Sequence, residues 1–420
     1  MRKDKVLIIA VFFIVIASFP QTRVFAQGGS LYTRYGIGDV FQTYTARKSV
    51  IGAGVSVFDK YFLSPVNPAS FANLKITRFS VGLNYIGYNL SNSTDNAFYS
   101  ATDFTGFSLG FPLQRDYGLS FVLGILPYSK VQYAVSEKNI QLNPETKYDI
   151  NLEGSGSLNK IFLGTSYSTG YGINLGATFE IYTGNIKRTS DIAFNETAKY
   201  NSAGYSEEYT YSGLGTTFGL ITENLAPILG VSKINDLRIG LSYNFTGELN
   251  TDTSLTSATN LGAVTVEKGL TKTKIPSKLL TGLSFVWDEN YLVTFDYMYQ
   301  PWSGYTYNSK PDKHLQDSYA VSAGMEYHRG RETSTRFWEL FRIWGGLRFE
   351  KTPYLIKGIS IEEYSINTGF SIPLGLRSSV DIGFSYGIRG SNELNLINEK
   401  IIKTFISINL GEIWFIRQER

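Results

Sequence analysis

Cysteine is absent from the 420-residue chain, so neither a disulfide framework nor a thiolate metal site is available. No run of lysine or arginine occurs and the formal charge is only +3, which leaves no electrostatic footprint for nucleic acid. After residue 26, no stretch is long and apolar enough for a membrane helix. Metal-ligand spacings and glycine-rich phosphate loops are also missing from the sequence, so we expect no metal and no cofactor.

The first 26 residues have the layout of a secretory signal peptide. Positive residues precede an unbroken apolar run from Val6 to Ala17, and Val24-Phe25-Ala26 offers a small-residue cleavage site. The alternative is an anchoring helix, but this run is shorter than the roughly 20 residues that a hydrocarbon core requires. We therefore assign 1–26 to a signal peptide and expect Gln27 to be the first mature residue.

Tyrosine, phenylalanine and glycine are abundant, with 29, 28 and 41 copies, a composition that favours strands over long helices. The strand signal itself is an alternation of period two. Between 171 and 181, apolar residues occupy the odd positions, whereas glycine, asparagine, threonine and glutamate occupy the even ones. One apolar face and one small, polar face suit a wall between lipid and a polar lumen.

Fourteen alternating segments follow residue 75. Compact connections join even segments to odd ones, and the longer, more polar connections join odd segments to even ones. Outer-membrane barrels have short periplasmic turns and long external loops. The sequence therefore predicts an all-β protein, a transmembrane antiparallel β-barrel of about 14 strands over 76–420, with both termini periplasmic. The segments lie near 76–90, 103–113, 117–134, 155–168, 171–189, 208–222, 236–252, 277–288, 291–303, 317–328, 340–350, 359–374, 378–389 and 398–410.

Residues 27–75 do not follow the strand pattern. Their apolar and aromatic content, including Tyr35, Phe41 and Phe58, indicates that they are buried rather than disordered. The barrel lumen is the available place. The sequence therefore predicts that 27–75 form an N-terminal plug, or hatch, inside the lumen.

These features together resemble the FadL/TodX family of outer-membrane transporters for long-chain fatty acids and other hydrophobic compounds. The matching points are the tripeptide Asn67-Pro68-Ala69 in the plug, the glycine-rich lead-in Tyr35-Gly36-Ile37-Gly38, the fourteen-segment count and the third segment. In the family, a kink in the third strand opens a lateral gap. The resemblance implies that Gly124 and Pro127 form this kink, because proline lacks the ladder donor and glycine tolerates a bend. The alternative is a strand that ends at Pro127.

Charged residues are predicted to point into the lumen. If Ile343 and Leu347 face lipid, the eleventh segment turns Arg342, Trp344 and Arg348 inward. An arginine could then receive the carboxylate of an amphiphile, with Trp344 against its tail. The alternative is that such charges pair across the lumen or hold the plug. Glycines on the same predicted face either leave room for a plug or a ligand, or relieve crowding. They are Gly82, Gly106, Gly110, Gly176, Gly240, Gly282, Gly324, Gly346 and Gly383.

Catalysis has little support in the sequence. The only two histidines, His314 and His328, are predicted to lie on opposite sides of the membrane. Neither has a serine and a carboxylate that the alternation would aim at one point. We therefore do not expect an enzyme.

The leading hypothesis is passive uptake of hydrophobic or amphiphilic small molecules such as long-chain fatty acids. The alternative is a non-transporting barrel that serves as an envelope scaffold or a secretion accessory. An apolar channel would favour transport, whereas a lumen packed with charge ladders would favour the scaffold. The expected partners are outer-membrane lipid, hydrophobic cargo and the barrel-assembly machinery, because 409–416 resembles the terminal signal that this machinery reads. Nucleic acid is not expected.

Overall fold

The computed structural model describes residues 28–92, 95–143, 146–194, 201–230, 233–259, 262–328, 340–375, 377–391 and 396–412. The predicted signal peptide and the last part of the predicted assembly signal, 413–416, lie outside these ranges. Across the described ranges, no helix combines the length and the hydropathy that crossing a membrane requires.

In the described part of the chain, fourteen strands pair antiparallel in sequence order and close into a barrel. The last strand pairs with the first along its whole length, from Asn398 opposite Ser91 to Glu412 opposite Thr77. Closure matters because an open sheet edge would leave backbone groups unsatisfied in lipid. The predicted barrel of about 14 strands is thus confirmed.

The wall consists of β2–β8, β11, β12 and β15–β19, and the remaining strands are short or form hairpins that extend from it. The strands are β1 Asp39–Val40, β2 Thr77–Ser91, β3 Asn96–Gln114, β4 Leu119–Asn143, β5 Thr146–Ser168, β6 Ile173–Phe194, β7 Ala203–Thr222, β8 Ile234–Thr246, β9 Leu249–Thr259, β10 Gly262–Lys274, β11 Lys278–Trp287, β12 Tyr291–Gln300, β13 Thr306–Tyr307, β14 Lys310–Pro311, β15 Ser318–His328, β16 Arg342–Ile356, β17 Ile359–Pro373, β18 Ser379–Gly390 and β19 Asn398–Glu412. The helices are α1 Ala46–Ile51 and α2 Ala226–Leu229, with 3₁₀ turns at Leu31–Arg34, Pro68–Asn73 and Trp302–Gly304.

The two faces of the wall differ as the alternation predicts. On β6, Phe179 and Ile181 are exposed on the outside, whereas Glu180 and Tyr182, which alternate with them, are buried on the inside. The same arrangement recurs along β12. Apolar side chains therefore cover the outer surface, whereas the inner face carries polar and charged side chains together with buried apolar ones such as Leu280 and Met298.

Several strands run much further on the long-loop side than the sequence predicts. β4, β5, β6 and β7 contain 25, 23, 22 and 20 residues, whereas a strand that crosses a membrane needs about 9–11. The β9–β10 hairpin continues this sheet beside β7. The predicted loops at 135–154, 190–207 and 253–276 are corrected to paired strands in their described parts. Polar cross-strand partners, such as Arg188 opposite Glu207, support these pairings.

The N-terminal segment, residues 28–75, lies inside the barrel. Its helix α1 packs against β15–β19. Its 3₁₀ turn at Pro68–Asn73 packs against β4–β7, on the opposite side of the lumen. Between these contacts, Ile51, Val55 and Asn67 are fully buried. That residues 27–75 form a plug stays a prediction.

The N-terminal segment enters the lumen at one end of the barrel and reaches β2 at the other. Near its start, the hydroxyl of Tyr32 donates to the carbonyl oxygen of Ile397, in the connection between β18 and β19. Glu412 lies opposite Thr77 at the short-turn end. Tyr32 and Glu412 therefore lie toward opposite ends of the barrel, and the predicted placement of both termini in the periplasm stays a prediction.

Candidate functional site

Pairs of glycines face each other on the inner wall of the barrel. They lie directly opposite one another on neighbouring strands, so each pair leaves a patch of bare backbone. Their inward orientation agrees with the sequence prediction, although Gly219 and Gly369 were not among the predicted positions. Among the described residues, the pairs are Gly82–Gly106, Gly176–Gly219, Gly240–Gly282, Gly324–Gly346 and Gly369–Gly383.

The backbone of the N-terminal segment rests on these patches. A Cβ atom built on Gly346 would lie 2.1 Å from the carbonyl oxygen of Val50 in α1. On the other side of the lumen, a Cβ atom built on Gly176 would lie 2.2 Å from the carbonyl carbon of Pro68. Only glycine permits backbone contact this close. We call the three central pairs, formed by Gly176, Gly219, Gly240, Gly282, Gly324 and Gly346, the glycine seat.

The predicted plug motif, Asn67-Pro68-Ala69, lies on the glycine seat. The side-chain amide of Asn67 is within hydrogen-bond distance of the carbonyl oxygen of Val55 at 2.8 Å, and of those of Leu220 and Leu241 at 3.1 and 3.2 Å. Its side-chain oxygen accepts from the Ala69 N–H and so caps the 3₁₀ turn. One fully buried side chain therefore joins two parts of the N-terminal segment to β7 and β8.

Asp296 on β12 holds the turn that follows α1. Its two carboxylate oxygens accept from the backbone N–H groups of Gly54 and Val55, each at 2.8 Å. The alternation along β12 places Asp296 on the inner face, but it does not show that the carboxylate binds backbone. This contact could hardly be anticipated from the sequence, because the partners of Asp296 lie about 240 residues earlier in the chain.

A cluster of four charges fixes α1 to the wall. The Arg47 guanidinium lies 2.5 Å from Glu326 and 3.0 Å from Asp59, and Arg342 lies 3.0 Å from Glu326. Burial alone would lower the pKa of Arg47 and raise that of Asp59, but the opposite charges raise the first and lower the second. Arg47 and Asp59 are therefore held in their charged forms. Arg342, a predicted ligand contact, has its charge neutralised within the cluster.

Lys48, the neighbour of Arg47, has no carboxylate partner among the described residues within ion-pair distance. Its ammonium donates to the carbonyl oxygen of Gly54 at 3.0 Å. Burial, together with the positive charge of Arg47, lowers the pKa of Lys48 to about 7. Neither Arg47 nor Lys48 was predicted from the sequence. The signal was present, since two adjacent cations stand out in a segment predicted to be buried.

The other two predicted ligand contacts also meet the N-terminal segment. Trp344 is fully buried and packs against Val50 and Ile51. Arg348 donates to Gln42 at 2.5 Å and to Glu350 at 2.9 Å. These contacts match the structural alternative, in which inward charges pair or hold the plug. A role in ligand binding stays a prediction.

A cavity of about 180 Å³ lies between the N-terminal segment and the wall strands β2 and β15–β19. Arg348 lies on its wall, together with Lys48, Glu363 and Lys403. Lys403 is 3.5 Å from Glu363, so opposite charges meet along this surface. Such a lining suits water and polar groups better than a hydrocarbon.

The first part of the N-terminal segment is tied to the wall by a second charge cluster. The Arg389 guanidinium donates to both carboxylate oxygens of Asp39, at 3.0 and 2.9 Å, and lies 2.7 Å from Glu399. Tyr354 also donates to Asp39, and Ser30 donates to Glu399, each at 2.8 Å. Arg389 and Glu399 of the wall thus hold the segment at Asp39 and Ser30.

The second and third wall strands separate on the long-loop side. β3 and β4 pair only from Gln114 opposite Leu119 to Phe107 opposite Ile125. Beyond that point β1 pairs with β4, at Ser129 and Lys130. The N-terminal segment therefore occupies the place where the second wall strand would otherwise continue the ladder.

The residues predicted to form a kink lie at this separation. Gly124 is opposite Ser108 in the last paired stretch, and Pro127 follows just beyond it. β4 does not end at Pro127 but continues to Asn143, with a register shift against β5 after Pro127. An ion pair between Asp103 on β3 and Lys130 on β4 crosses the separation. Whether this region opens laterally stays a prediction.

His314 offers no catalytic arrangement in the described residues. Its exposed ring stacks on Tyr35 at 4.6 Å, and its Nδ1 atom lies 3.1 Å from Asp312. No described serine hydroxyl bonds to it. The side chain of His328 lies outside the described part of the structure.

The closed fourteen-stranded barrel, the enclosed N-terminal segment and the parting of the second and third wall strands define a FadL-like barrel. The chain is similar to the Pseudomonas putida toluene transporter TodX, with 15% identity, 89% of this chain and 100% of that chain covered, and a TM-score of 0.60. It is also similar to the Ralstonia pickettii toluene transporter TbuX (14% identity, 88% and 98% covered, TM-score 0.57). The chain is similar as well to a Pseudomonas aeruginosa FadL homologue, with 10% identity, 88% of this chain and 98% of that chain covered, and a TM-score of 0.57. The predicted resemblance is confirmed at the level of the fold.

The chain belongs to the BamG family, whose model matches residues 1–419. No curated protein sequence matches it.

Proposed function

We propose that the protein is an outer-membrane barrel that works as an envelope scaffold or secretion accessory, with its lumen filled by its own N-terminal segment. The glycine seat is the observation that carries the proposal. Backbone lies against backbone on both sides of the lumen, and a wall built this way serves to hold the segment rather than to pass cargo along the axis.

The buried charges support the same interpretation. Arg47 with Glu326, and Asp39 with Arg389, connect the N-terminal segment to β15 and β18. Removing one partner of a buried ion pair typically costs about 3–5 kcal/mol, because the other charge is left uncompensated. Withdrawal of the segment would break both connections together.

The sheet that extends beyond the barrel is the surface we assign to scaffold function. It consists of β4–β7 with the β9–β10 hairpin, and it extends past the barrel on the long-loop side. Paired strands hold a surface more rigidly than loops do. Outer-membrane lipid and the barrel-assembly machinery stay partners predicted from the sequence.

A disulfide lock tests the proposal, since the natural chain has no cysteine. A Cβ atom built on Gly282 lies 3.0 Å from the Cβ of Val55 and 2.5 Å from a carboxylate oxygen of Asp296. Val55 must therefore move by about half an ångström to reach the disulfide range of about 3.5–4.5 Å, and the Asp296 side chain must turn aside. We expect proteoliposomes with the oxidised Val55→Cys, Gly282→Cys protein to match the wild type. Neither should deliver fatty acid or toluene faster than empty liposomes. The reduced double variant and the single Gly282→Cys variant are the controls, because both carry the added Cβ atom at the glycine seat without the cross-link.

Uptake of hydrophobic or amphiphilic molecules, such as long-chain fatty acids, is the second candidate function. The separation of β3 and β4 favours it, because a break in the ladder offers a way from the lumen to the bilayer. In this mechanism, Arg348 would receive the carboxylate in the 180 Å³ cavity. Residues 28–41 and the Asp103–Lys130 ion pair would then have to move.

The same lock separates the two candidates. If the second is correct, reduced protein delivers cargo, oxidation stops delivery, and reduction restores it. Native mass spectrometry then also finds a co-purified fatty acid that Arg348→Ala loses and Arg342→Ala keeps, since Arg342 lies in the Arg47 cluster rather than on the cavity. Delivery by the wild type that oxidation abolishes would refute the scaffold proposal.

A further inference from the structure

Two lysines of the inner wall meet at a small cavity beside the N-terminal segment. Lys160 on β5 and Lys278 on β11 both line it, and they are 6% and 7% exposed. Tyr44 and Val66 of the N-terminal segment form the opposite side. The cavity measures about 20 Å³, enough for one particle the size of a water molecule.

Glu180 neutralises only Lys160. It accepts from Lys160 at 2.9 Å, from Tyr182 at 2.6 Å, and from Thr217 and Asn244 at 2.7 and 2.9 Å. Thr178 donates to it as well. A carboxylate has about four acceptor positions, so Glu180 has none left for a second ammonium.

Lys278 has no counter-charge in the described chain. No described carboxylate lies within 4.0 Å of its ammonium, and no described acceptor bonds to it. Its recorded neighbour is the ring of Tyr128, with the nitrogen 5.9 Å from the centroid. Two buried ammonium groups and one carboxylate leave one positive charge, and burying an uncompensated charge costs several kcal/mol.

The polar groups around the cavity present donors rather than acceptors. The hydroxyl of Tyr44 donates to no described group, and the Lys278 ammonium has three free N–H bonds. The acceptors nearby are already used, since the side-chain oxygen of Gln42 accepts from Arg348. The hydroxyl of Ser242 donates to the carbonyl oxygen of Val66, so that oxygen is occupied as well. A donor-lined cavity with excess positive charge selects an anion.

We infer that this cavity binds one small monovalent anion, a halide such as chloride, between the ammonium of Lys278 and the hydroxyl of Tyr44. The anion neutralises Lys278 and joins β11 to the N-terminal segment. A carboxylate or a phosphate is too large for the volume. Water would fill the space without supplying the missing charge.

Bromide in place of chloride gives the direct test. In crystals of the full-length protein grown with bromide, we expect an anomalous peak in the cavity, in contact with the Lys278 nitrogen. Crystals of Lys278→Met should lack this peak. Lys403→Met should keep it, because Lys403 pairs with Glu363 and lines the other cavity. A wild-type cavity that holds only water in bromide overturns the inference, whether or not the variants fold.

Thermal unfolding, followed by the shift in gel mobility, supplies a second readout. At constant ionic strength, exchange of gluconate for chloride should raise the midpoint for the wild type and for Lys403→Met until it saturates. Gluconate is too large for the cavity. For Lys278→Met the midpoint should not change. An equal response in all three proteins would show a general salt effect and contradict the site.

Discussion

Two adjacent glycines on β16 allow the glycine seat to be tested within one dipeptide. Gly346 faces the lumen, where an added Cβ atom would lie 2.1 Å from the carbonyl oxygen of Val50 and 3.1 Å from that of Ala323. Gly345 faces outward, and an added Cβ atom there would meet nothing within 4 Å. Gly346→Ala is therefore the perturbation, and Gly345→Ala is its matched control.

The size of the effect follows from these distances. Carbon and carbonyl oxygen normally approach to about 3.3–3.6 Å, so α1 must move away from β16 by roughly 1 Å. The neighbour is backbone, and the Arg47 cluster restrains α1 on its other side. Overpacking of this kind costs about 1–3 kcal/mol, and we expect Gly346→Ala near the upper limit. Gly345→Ala should change stability by no more than about 0.5 kcal/mol.

Urea unfolding and limited proteolysis measure the two consequences separately. Arg47 and Lys48 are 1% and 3% exposed, so trypsin should cleave after them slowly in the wild type. We expect Gly346→Ala to lower the unfolding midpoint and to speed this cleavage, whereas Gly345→Ala should do neither. Equal stability and equal cleavage in both variants would refute the argument that the seat requires glycine.

Three further predictions concern the connections of the N-terminal segment. Asp39→Asn should destabilise the segment by only about 1–2 kcal/mol, because Asp39 is 31% exposed and Arg389 keeps Glu399 and Glu363 as counter-charges. Hydrogen exchange over residues 28–41 should rise while that of β12 does not. Asp296→Ala should cost about 1–3 kcal/mol for each backbone N–H of Gly54 and Val55 left unsatisfied, measured by urea unfolding; an unchanged midpoint would contradict the contact. Burial lowers the pKa of Lys48 to about 7. Between pH 7 and about 10, the unfolded chain therefore binds a proton that the folded chain does not. The free energy of unfolding should rise with pH in this window, by up to about 1.4 kcal/mol per pH unit. Lys48→Met should remove that rise, and a wild-type stability that falls with pH over this window would reverse the sign of the argument.

The wall could be predicted from the sequence because each wall strand has two unlike faces. Phe179, Glu180 and Ile181 already display the period of two in the sequence, and they are exposed, buried and exposed in the structure. The strands above the barrel were missed for the opposite reason. Residues 146–154 are rich in polar side chains, and only the pairing with neighbouring strands identifies them as strand.

The contacts of the N-terminal segment could be anticipated only in part. The tripeptide Asn67-Pro68-Ala69 and the inward glycines could be identified in the sequence. The contact of the tripeptide with the glycines could not. Arg47 and Glu326 are 279 residues apart, and Asp39 and Arg389 are 350 apart. Periodicity reports which way a side chain points, whereas partners this distant follow from the path of the chain through the lumen.

Ion conductance of the purified full-length protein in a planar lipid bilayer tests the central claim most directly. With the N-terminal segment held on the glycine seat and by its buried charges, we predict insertion without steady conductance, for the wild type and for the oxidised Val55→Cys, Gly282→Cys protein alike. A steady, ohmic conductance in the wild type that oxidation of the cysteine pair abolishes would contradict the account.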